Sequence, residues 1–231
     1  GDVIPEVVKV IHEKRPKNTN SYTLPDKCPI CNHTIFRSKD KVVFRCQNME
    51  CPAQVKGRIE HFVSKNCMDI DGFGVKLVNQ LVERGLIKNV ADIFQLTLIQ
   101  LSELDRMAEK SAQNIIDAIE ISKSTTMARF IHALGIRNVG EHAGKILEKS
   151  FKGNLQSLIN TSMSTLTAIH EIGEIMAESL LIFFQESNNC KVVQACLDAG
   201  VKFAKVTQNH NLKYTGKTFV FTGSLKKFSR K

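Results

Sequence analysis

The sequence predicts a mainly α-helical chain: a tandem array of helical hairpins, preceded by a small β-containing module with four cysteines and flanked by short, truncated β elements at both ends. Three observations predict it. All five prolines (Pro5, Pro16, Pro25, Pro29, Pro52) lie in the first 52 residues, so the later chain is free of the strongest helix breaker. Four of the seven cysteines fall between positions 28 and 51. From Cys67 onward, helical stretches alternate with short polar or glycine-containing breaks at nearly constant separation.

Composition narrows the function classes. With 231 residues and 42% hydrophobic content, the chain is long enough for one large domain or several small ones with real cores. No segment approaches the roughly 18 to 20 uninterrupted apolar residues of a membrane helix, and the N-terminus lacks a charged-then-apolar signal pattern, so a cytoplasmic protein is expected. The net charge of +9 is uneven: +5 over residues 1–66, −2 over 67–208 and +6 over 209–231. A polyanion bound by the middle segment must therefore be held by backbone amides and a few placed cations, with the ends supplying diffuse attraction.

In chain order, residues 1–24 come first. "GDVIPEVVKVIHEKRP" reads as β-branched strand up to Pro16, too short to stand alone and so expected to complete a β-domain upstream. The chain begins at Gly1 and stops on a basic tail, which reads as a piece of a longer protein.

Residues 25–66 hold the cysteine module. Cys28 and Cys31 are separated by two residues, Cys46 and Cys51 by four, with fourteen between the pairs. Two short cysteine turns facing each other across a hairpin are what a tetrahedral thiolate site for zinc requires. "TIFRSKDKVVFRC" alternates into short strands around Ser38-Lys39-Asp40, which folds the second pair back on the first. Disulfides are the alternative, but an odd cysteine count and no secretory signal weigh against them. His33 is an alternative ligand. With four protein ligands the metal is structural, since a catalytic zinc needs an open position. Cys67, Cys190 and Cys196 have no partner at ligand spacing and read as small core residues.

Residues 67–208 form the repeat. The breaks "IDGFGVKL", "LDRMAEKSA", "LGIRNVGEHA" and "IHEIGEIMA" align on Gly74, Ala108, Gly140 and Gly173, separated by 34, 32 and 33 residues. In each, an apolar residue (Phe73, Met107, Val139, Ile172) precedes the small one and is expected to plug the angle between two helices. Solenoid repeats have similar periods, but the tetratricopeptide and ankyrin signatures are absent. A tandem helix-hairpin-helix array fits better. A glycine-lined turn entering a helix presents several amide N–H groups with the positive end of the helix dipole, an anion site that a bulky side chain would block. A nucleotide loop at Gly135–Gly140 is excluded, because Glu141 and His142 stand where Lys and Ser/Thr are needed. The second hairpin, with Ala108 between Asp105 and Glu109, is expected to pack rather than bind. Lys76, Lys110, Arg137 and Lys145 are the candidate cationic supplements, and Gly144 is explained by close helix packing. In residues 209–231, "LKYTGKTFVFTGSL" gives a turn, a strand and a Thr-Gly-Ser loop.

The order of these parts is more specific than any one of them. "GDVIPEVV", the four-cysteine module ending "CPAQVKGRIEHFVS", then "MDIDGFG", "ALGIRNVGE" and "GKTFVFTGSL" resemble, over essentially the whole chain, the C-terminal half of bacterial NAD-dependent DNA ligases. The resemblance implies the end of an OB-fold domain (1–24), a four-cysteine zinc finger (25–66), a four-motif helix-hairpin-helix domain (67–208), and a linker with the start of a BRCT domain (209–231). It implies zinc ligands at Cys28, Cys31, Cys46 and Cys51, and DNA-contacting hairpin glycines at Gly72, Gly74, Gly135, Gly140 and Gly173. It also implies a protein that clamps nicked duplex DNA in replication and repair, while an upstream nucleotidyltransferase domain, with NAD and magnesium, seals the nick. No catalytic residue or NAD site is then expected in this chain, which is expected to be a monomer. A helix-hairpin-helix tail of another DNA-repair protein and a zinc-stabilised protein-interaction scaffold are the competing readings.

Overall fold

The computed structural model describes residues 6, 8–20, 23–36, 45–46 and 48–204. The expectations for residues 209–231, including the strand and its Thr-Gly-Ser loop, lie outside these, as does the Ser38-Lys39-Asp40 turn.

The N-terminal stretch departs from its expected strand. Val8 to Ile11 pairs with nothing among the described residues and leads into a single 3-10 turn, His12–Lys14, with no buried residue. β-branched alternation is satisfied only when a neighbouring strand accepts the backbone and a core accepts one face, and here neither is present. The cysteine module does form its hairpin: β1 (Ile35–Phe36) pairs antiparallel with β2 (Arg45–Cys46), Ile35 opposite Cys46.

The helices follow in chain order: α1 (Val55–Val63), α2 (Val75–Glu83), a 3-10 segment Val90–Gln95, α3 (Leu98–Ser102) and α4 (Glu109–Ser122). A two-residue strand β3 (Ser124–Thr125) leads to α5 (Met127–Ala133), α6 (Glu141–Ser150), α7 (Leu155–Ile159), α8 (Met163–Thr167), α9 (Glu174–Gln185) and α10 (Ser187–Asp198). Each longer helix buries one stripe, as helical spacing of apolar residues requires: Leu77, Val78 and Leu81 on α2; Ala112, Ile115 and Ile119 on α4; Ala177, Leu180 and Phe183 on α9. Helix α5 is different, with Met127, Ala128, Phe130, Ile131 and Ala133 all buried, so it runs through the centre. Helix α1, in the segment grouped above with the cysteines, joins the same core through Val55, Ile59, Phe62 and Val63.

The four-hairpin period resolves into a duplication. Side-chain caps recur 65 residues apart, Asn89 with Asn154 and Thr97 with Ser162, while the hairpin residues Gly74 and Gly140 lie 66 apart and Ala108 and Gly173 65 apart. The first half thus runs from α1 to α4, and the second from α5 to α9. Arg129 on α5 joins them: its guanidinium donates to the backbone carbonyls of Cys67 and Lys65, each at 2.7 Å, and stands 3.5 Å from the Asp69 carboxylate. Phe62 and Phe130 meet edge to face across the same boundary, ring centroids 6.4 Å apart. Finally β4 (Lys202–Phe203) pairs in parallel with β3, so the segment after α10 fastens onto the link between the halves.

Within the second half, α5 and α6 approach closely enough to need Gly144. A methyl group there would lie 2.6 Å from the Ala128 carbonyl oxygen, a backbone atom that cannot swing aside. Gly144→Ala is therefore expected to force the two helices apart and destabilise the fold by about 1–3 kcal/mol, the usual range for overpacking. Urea unfolding followed by circular dichroism measures it; an unchanged midpoint would show that the helices can separate freely.

Candidate functional site

The cysteine cluster is built by two backbone turns. Cys28 N–H donates to the His33 carbonyl and Asn32 N–H to the Cys28 carbonyl, closing a tight knuckle with Asn32 at a left-handed φ of 57°. The second knuckle runs straight into α1, since Gln54 and Val55 N–H both donate to the Cys51 carbonyl. The sulfurs of Cys28 and Cys51 lie 3.9 Å apart and those of Cys31 and Cys46 3.4 Å apart, with all four ligand atoms within 4.8 Å of one another. Thiolates bound to one tetrahedral zinc at about 2.3 Å sit roughly 3.8 Å from each other, so the four sulfurs fit such an ion. None of the four is in a disulfide.

Their acidity has the same meaning. Backbone N–H groups of Cys31 and Ile30 lower the Cys28 thiol to about 7, whereas burial first, then the neighbouring sulfurs, pushes Cys46 and Cys51 up. Four clustered thiols resist ionising together unless a cation sits among them. His33 is not a fifth candidate: its Nε2 pairs with Glu186 at 3.0 Å, and the ring serves to dock the module on α10. Two further polar contacts complete that docking, Met49 N–H to Asn189 Oδ1 at 3.1 Å and Asn89 Nδ2 to Glu50 at 3.2 Å.

The four hairpins share one backbone path. Two residues before each helix cap the chain turns left-handed, at Gly72, Arg106, Asn138 and Glu171, with φ between 60° and 83°. The next residue then points inward: Phe73, Val139 and Ile172 are buried and Met107 packs on the core, as the plug expectation requires. The capping residue follows in extended conformation, with φ between −77° and −89° at Gly74, Ala108, Gly140 and Gly173. Odd and even hairpins differ one turn earlier. Asp69 and Gly135, five residues before the cap, are also left-handed, whereas the even hairpins are entered from the short helices α3 and α8.

What these caps lack is informative. Asn89, Thr97, Thr126, Asn154 and Ser162 each close a helical segment with their own side chain, but none of the four hairpin helices has a side-chain cap. Uncapped, these N-termini leave their first amides for an outside acceptor. Nor does the protein itself demand glycine there. A Cβ at Gly74, Gly140 or Gly173 would meet nothing within 4 Å, the backbone angles suit any residue, and Ala108 occupies the equivalent position.

The predicted cations are placed unevenly. Lys76 is exposed on the first turn of α2, and Arg137 is half-buried in the third hairpin, lining a cleft of about 630 Å³ with Arg58 and Cys46. Lys145 is held by Glu141 at 2.6 Å, an i,i+4 pair whose lysine holds the Glu141 carboxyl below its usual value. Hairpins three and four lie side by side, joined by His142 to Glu171 at 2.8 Å and Asn138 to Ser179 at 3.0 Å. Hairpin two is tied to α2 through Arg84 and Asp105, 2.9 Å apart, which agrees with a packing role for it. Cys67 requires a correction. It is fully buried but not partnerless, because its sulfur lies 3.6 Å from His61 Nε2. Only the fold brings it there, six residues and a turn away from His61 in sequence.

Known proteins match in the same order. Residues 27–53 match the family model of the NAD-dependent DNA ligase C4 zinc finger domain, 66–120 a SAM-like helix-hairpin-helix tandem and 129–193 a helix-hairpin-helix motif. The chain is 44% identical over 230 residues to the DNA ligase of Geotalea uraniireducens (strain Rf4), with 100% of this chain and 34% of that protein covered. It is 45% identical over 231 residues to that of Syntrophotalea carbinolica and 42% over 234 to that of Francisella tularensis subsp. novicida, again covering 34% of each. The chain therefore spans about a third of the length of the curated relatives it matches. Its cysteine module is thus similar to the C4 zinc finger of NAD-dependent DNA ligases, and its helical segments are similar to helix-hairpin-helix domains.

Because the cysteine cluster is packed separately from the helical core, its loss should be local. Cys46→Ser is expected to remove zinc from this cluster and unfold residues 26–54 while most helical signal survives. Elemental metal analysis with circular dichroism measures both effects, and zinc retained at the four-cysteine site would contradict it.

Proposed function

We propose that this chain is the DNA-gripping portion of an NAD-dependent DNA ligase, corresponding to its C-terminal part, in which the hairpin amides hold the backbone of nicked duplex DNA. The whole enzyme seals nicks in replication and repair, and NAD and magnesium serve that chemistry elsewhere in the protein. Cys28, Cys31, Cys46 and Cys51 hold one structural zinc that stiffens the module in front of α1.

The contrast in capping carries this reading. Five helical segments of the array, those begun by Asn89, Thr97, Thr126, Asn154 and Ser162, satisfy an amide with their own side chain, while hairpins one, three and four open onto glycine with free space beside it. A phosphate oxygen takes the place of the missing cap, and the absence of a side chain lets it approach. Gly72 and Gly135 shape the turns, both at positive φ, and Gly74, Gly140 and Gly173 clear the approach. Lys76 and Arg137 supplement the amides. Lys145 joins them by leaving Glu141, since an exposed i,i+4 pair contributes only about 0.3–0.5 kcal/mol. Amides that hold phosphates position the duplex without reading its bases, so the binding is independent of sequence. The match to a ligase-type zinc finger immediately before the first hairpin favours this over a hairpin tail of another repair protein or a protein-interaction scaffold.

Gly140→Val separates binding from folding. Valine is compatible with the extended backbone at this position, with φ −89° and ψ −177°, so stability should change by no more than about 1 kcal/mol, the scale of a cap substitution. Affinity for a fluorescent nicked duplex should fall at least several-fold, measured by anisotropy, whereas Ala108→Val should leave it nearly unchanged. Unaltered affinity in Gly140→Val would remove the third hairpin from the interface. For the wild-type chain, log affinity should decline with log salt at about 0.9 per phosphate neutralised; salt-independent binding, or none to nicked duplex, would overturn the reading.

A further inference from the structure

The turn after α1 places a second group of metal-binding side chains away from the four cysteines. His61 lies in the last turn of α1, Cys67 on the turn that Arg129 clamps, and His132 in the last turn of α5, the first helix of the second half. One ligand atom from each residue lies within 4.8 Å of the others. We propose that His61, Cys67 and His132 form a second transition-metal site, a two-imidazole, one-thiolate site for zinc or a similar soft divalent ion, placed across the boundary between the two halves of the array.

The donor geometry carries the proposal. Zinc bonds of about 2.3 Å to sulfur and 2.0–2.1 Å to nitrogen, at tetrahedral angles, put the two ligand atoms roughly 3.6 Å apart. Cys67 Sγ lies 3.6 Å from His61 Nε2 and 4.0 Å from its Nδ1, so a small ring shift brings Nδ1 to the distance that a shared zinc requires. His61 Nε2 is also 2.8 Å from the His132 carbonyl oxygen. With the proton on Nε2 donated to that carbonyl, Nδ1 presents its lone pair towards Cys67, the orientation typical of ligating histidines. His132 supplies the independent observation: its Nδ1 is buried and has no hydrogen-bond partner, which is costly for a ring nitrogen unless something accepts its lone pair.

Three protein ligands leave a fourth position for water or an incoming group. His61 is half-buried and lines the cleft that also contains Arg58 and Arg137. On binding, the thiol gives up its proton to solvent and the sulfur and two ring nitrogens donate electron pairs, with no change in oxidation state. The ion would pin α1 to α5 at the point where Arg129 already joins them.

The test counts metal in the whole 231-residue chain. Reduced protein is equilibrated with zinc, desalted and analysed by elemental mass spectrometry. Two equivalents are expected in the wild type, one in Cys67→Ala and His132→Gln, and one in Cys46→Ser. Cobalt(II) added to Cys46→Ser should give a tetrahedral visible spectrum with a weak, single-thiolate charge-transfer band, absent when Cys67→Ala is added. Far-ultraviolet circular dichroism confirms that each variant is folded, and the wild type's melting temperature should rise with the second equivalent. A single equivalent in folded wild type, or a second that persists in Cys67→Ala, overturns the proposal. Neither result depends on whether the chain binds DNA.

Discussion

A left-handed residue two places before the cap of each hairpin helix is the constraint on which both the core and the candidate interface depend. At Gly72, Arg106, Asn138 and Glu171 this single turn of the backbone aims the next side chain into the interior and the following amides outward. Packing and binding are thus fixed by the same dihedral angle. A non-glycine residue at positive φ costs up to 1–2 kcal/mol, and three of the four hairpins accept that cost. The buried apolar plug that follows repays it, Val139 and Ile172 being among the most enclosed residues of their turns.

The sequence made the helical hairpins and the thiolate cluster legible because their signals are local. Glycine at a constant period and cysteines in two close pairs are visible without knowing the fold, and Gly144 stood out as a glycine inside a helix. The duplication was harder to see. Its clearest markers are the polar caps Asn89 and Asn154, and Thr97 and Ser162, which hide among ordinary surface residues until helix starts are known. The left-handed turns at Arg106 and Glu171 gave no signal at all, since these residue types rarely adopt that conformation. The N-terminal strand was read from β-branching alone, and a strand is a property of two segments rather than one.

Contacts between distant segments were equally out of reach. Nothing in the spacing of His61, Cys67 and His132 announces that the last turn of α5 returns to the last turn of α1. Likewise, the zinc module is held to the array by Asn189 and Glu186 on α10, residues about 140 and 150 positions beyond Met49 and His33. Asn189 is fully buried, and its side chain bridges Met49 N–H to the Phe183 carbonyl. The module is therefore positioned by the far end of the helical domain and not only by the helix it leads into. A rigid metal-bound knot docked in this way passes its orientation to the hairpins instead of swinging on a tether.

The parallel pairing of Ser124–Thr125 with Lys202–Phe203 bears on how such a chain comes to be folded. Lys202 N–H reaches the Lys123 carbonyl and Ala204 N–H the Thr125 carbonyl, each at 2.8 Å, and Phe203 packs on Phe130 of the central helix. The first half can assemble from neighbouring segments soon after its residues leave the ribosome. The contacts of Arg129 and Phe130 with the first half can form early, but the strand pairing that fastens the link between the halves waits until residue 204 has emerged, because β4 is among the last pieces of the array to be made. Synthesis thus sets an order of events: two hairpin pairs form early, and their final registration to one another waits on a latch nearly eighty residues downstream.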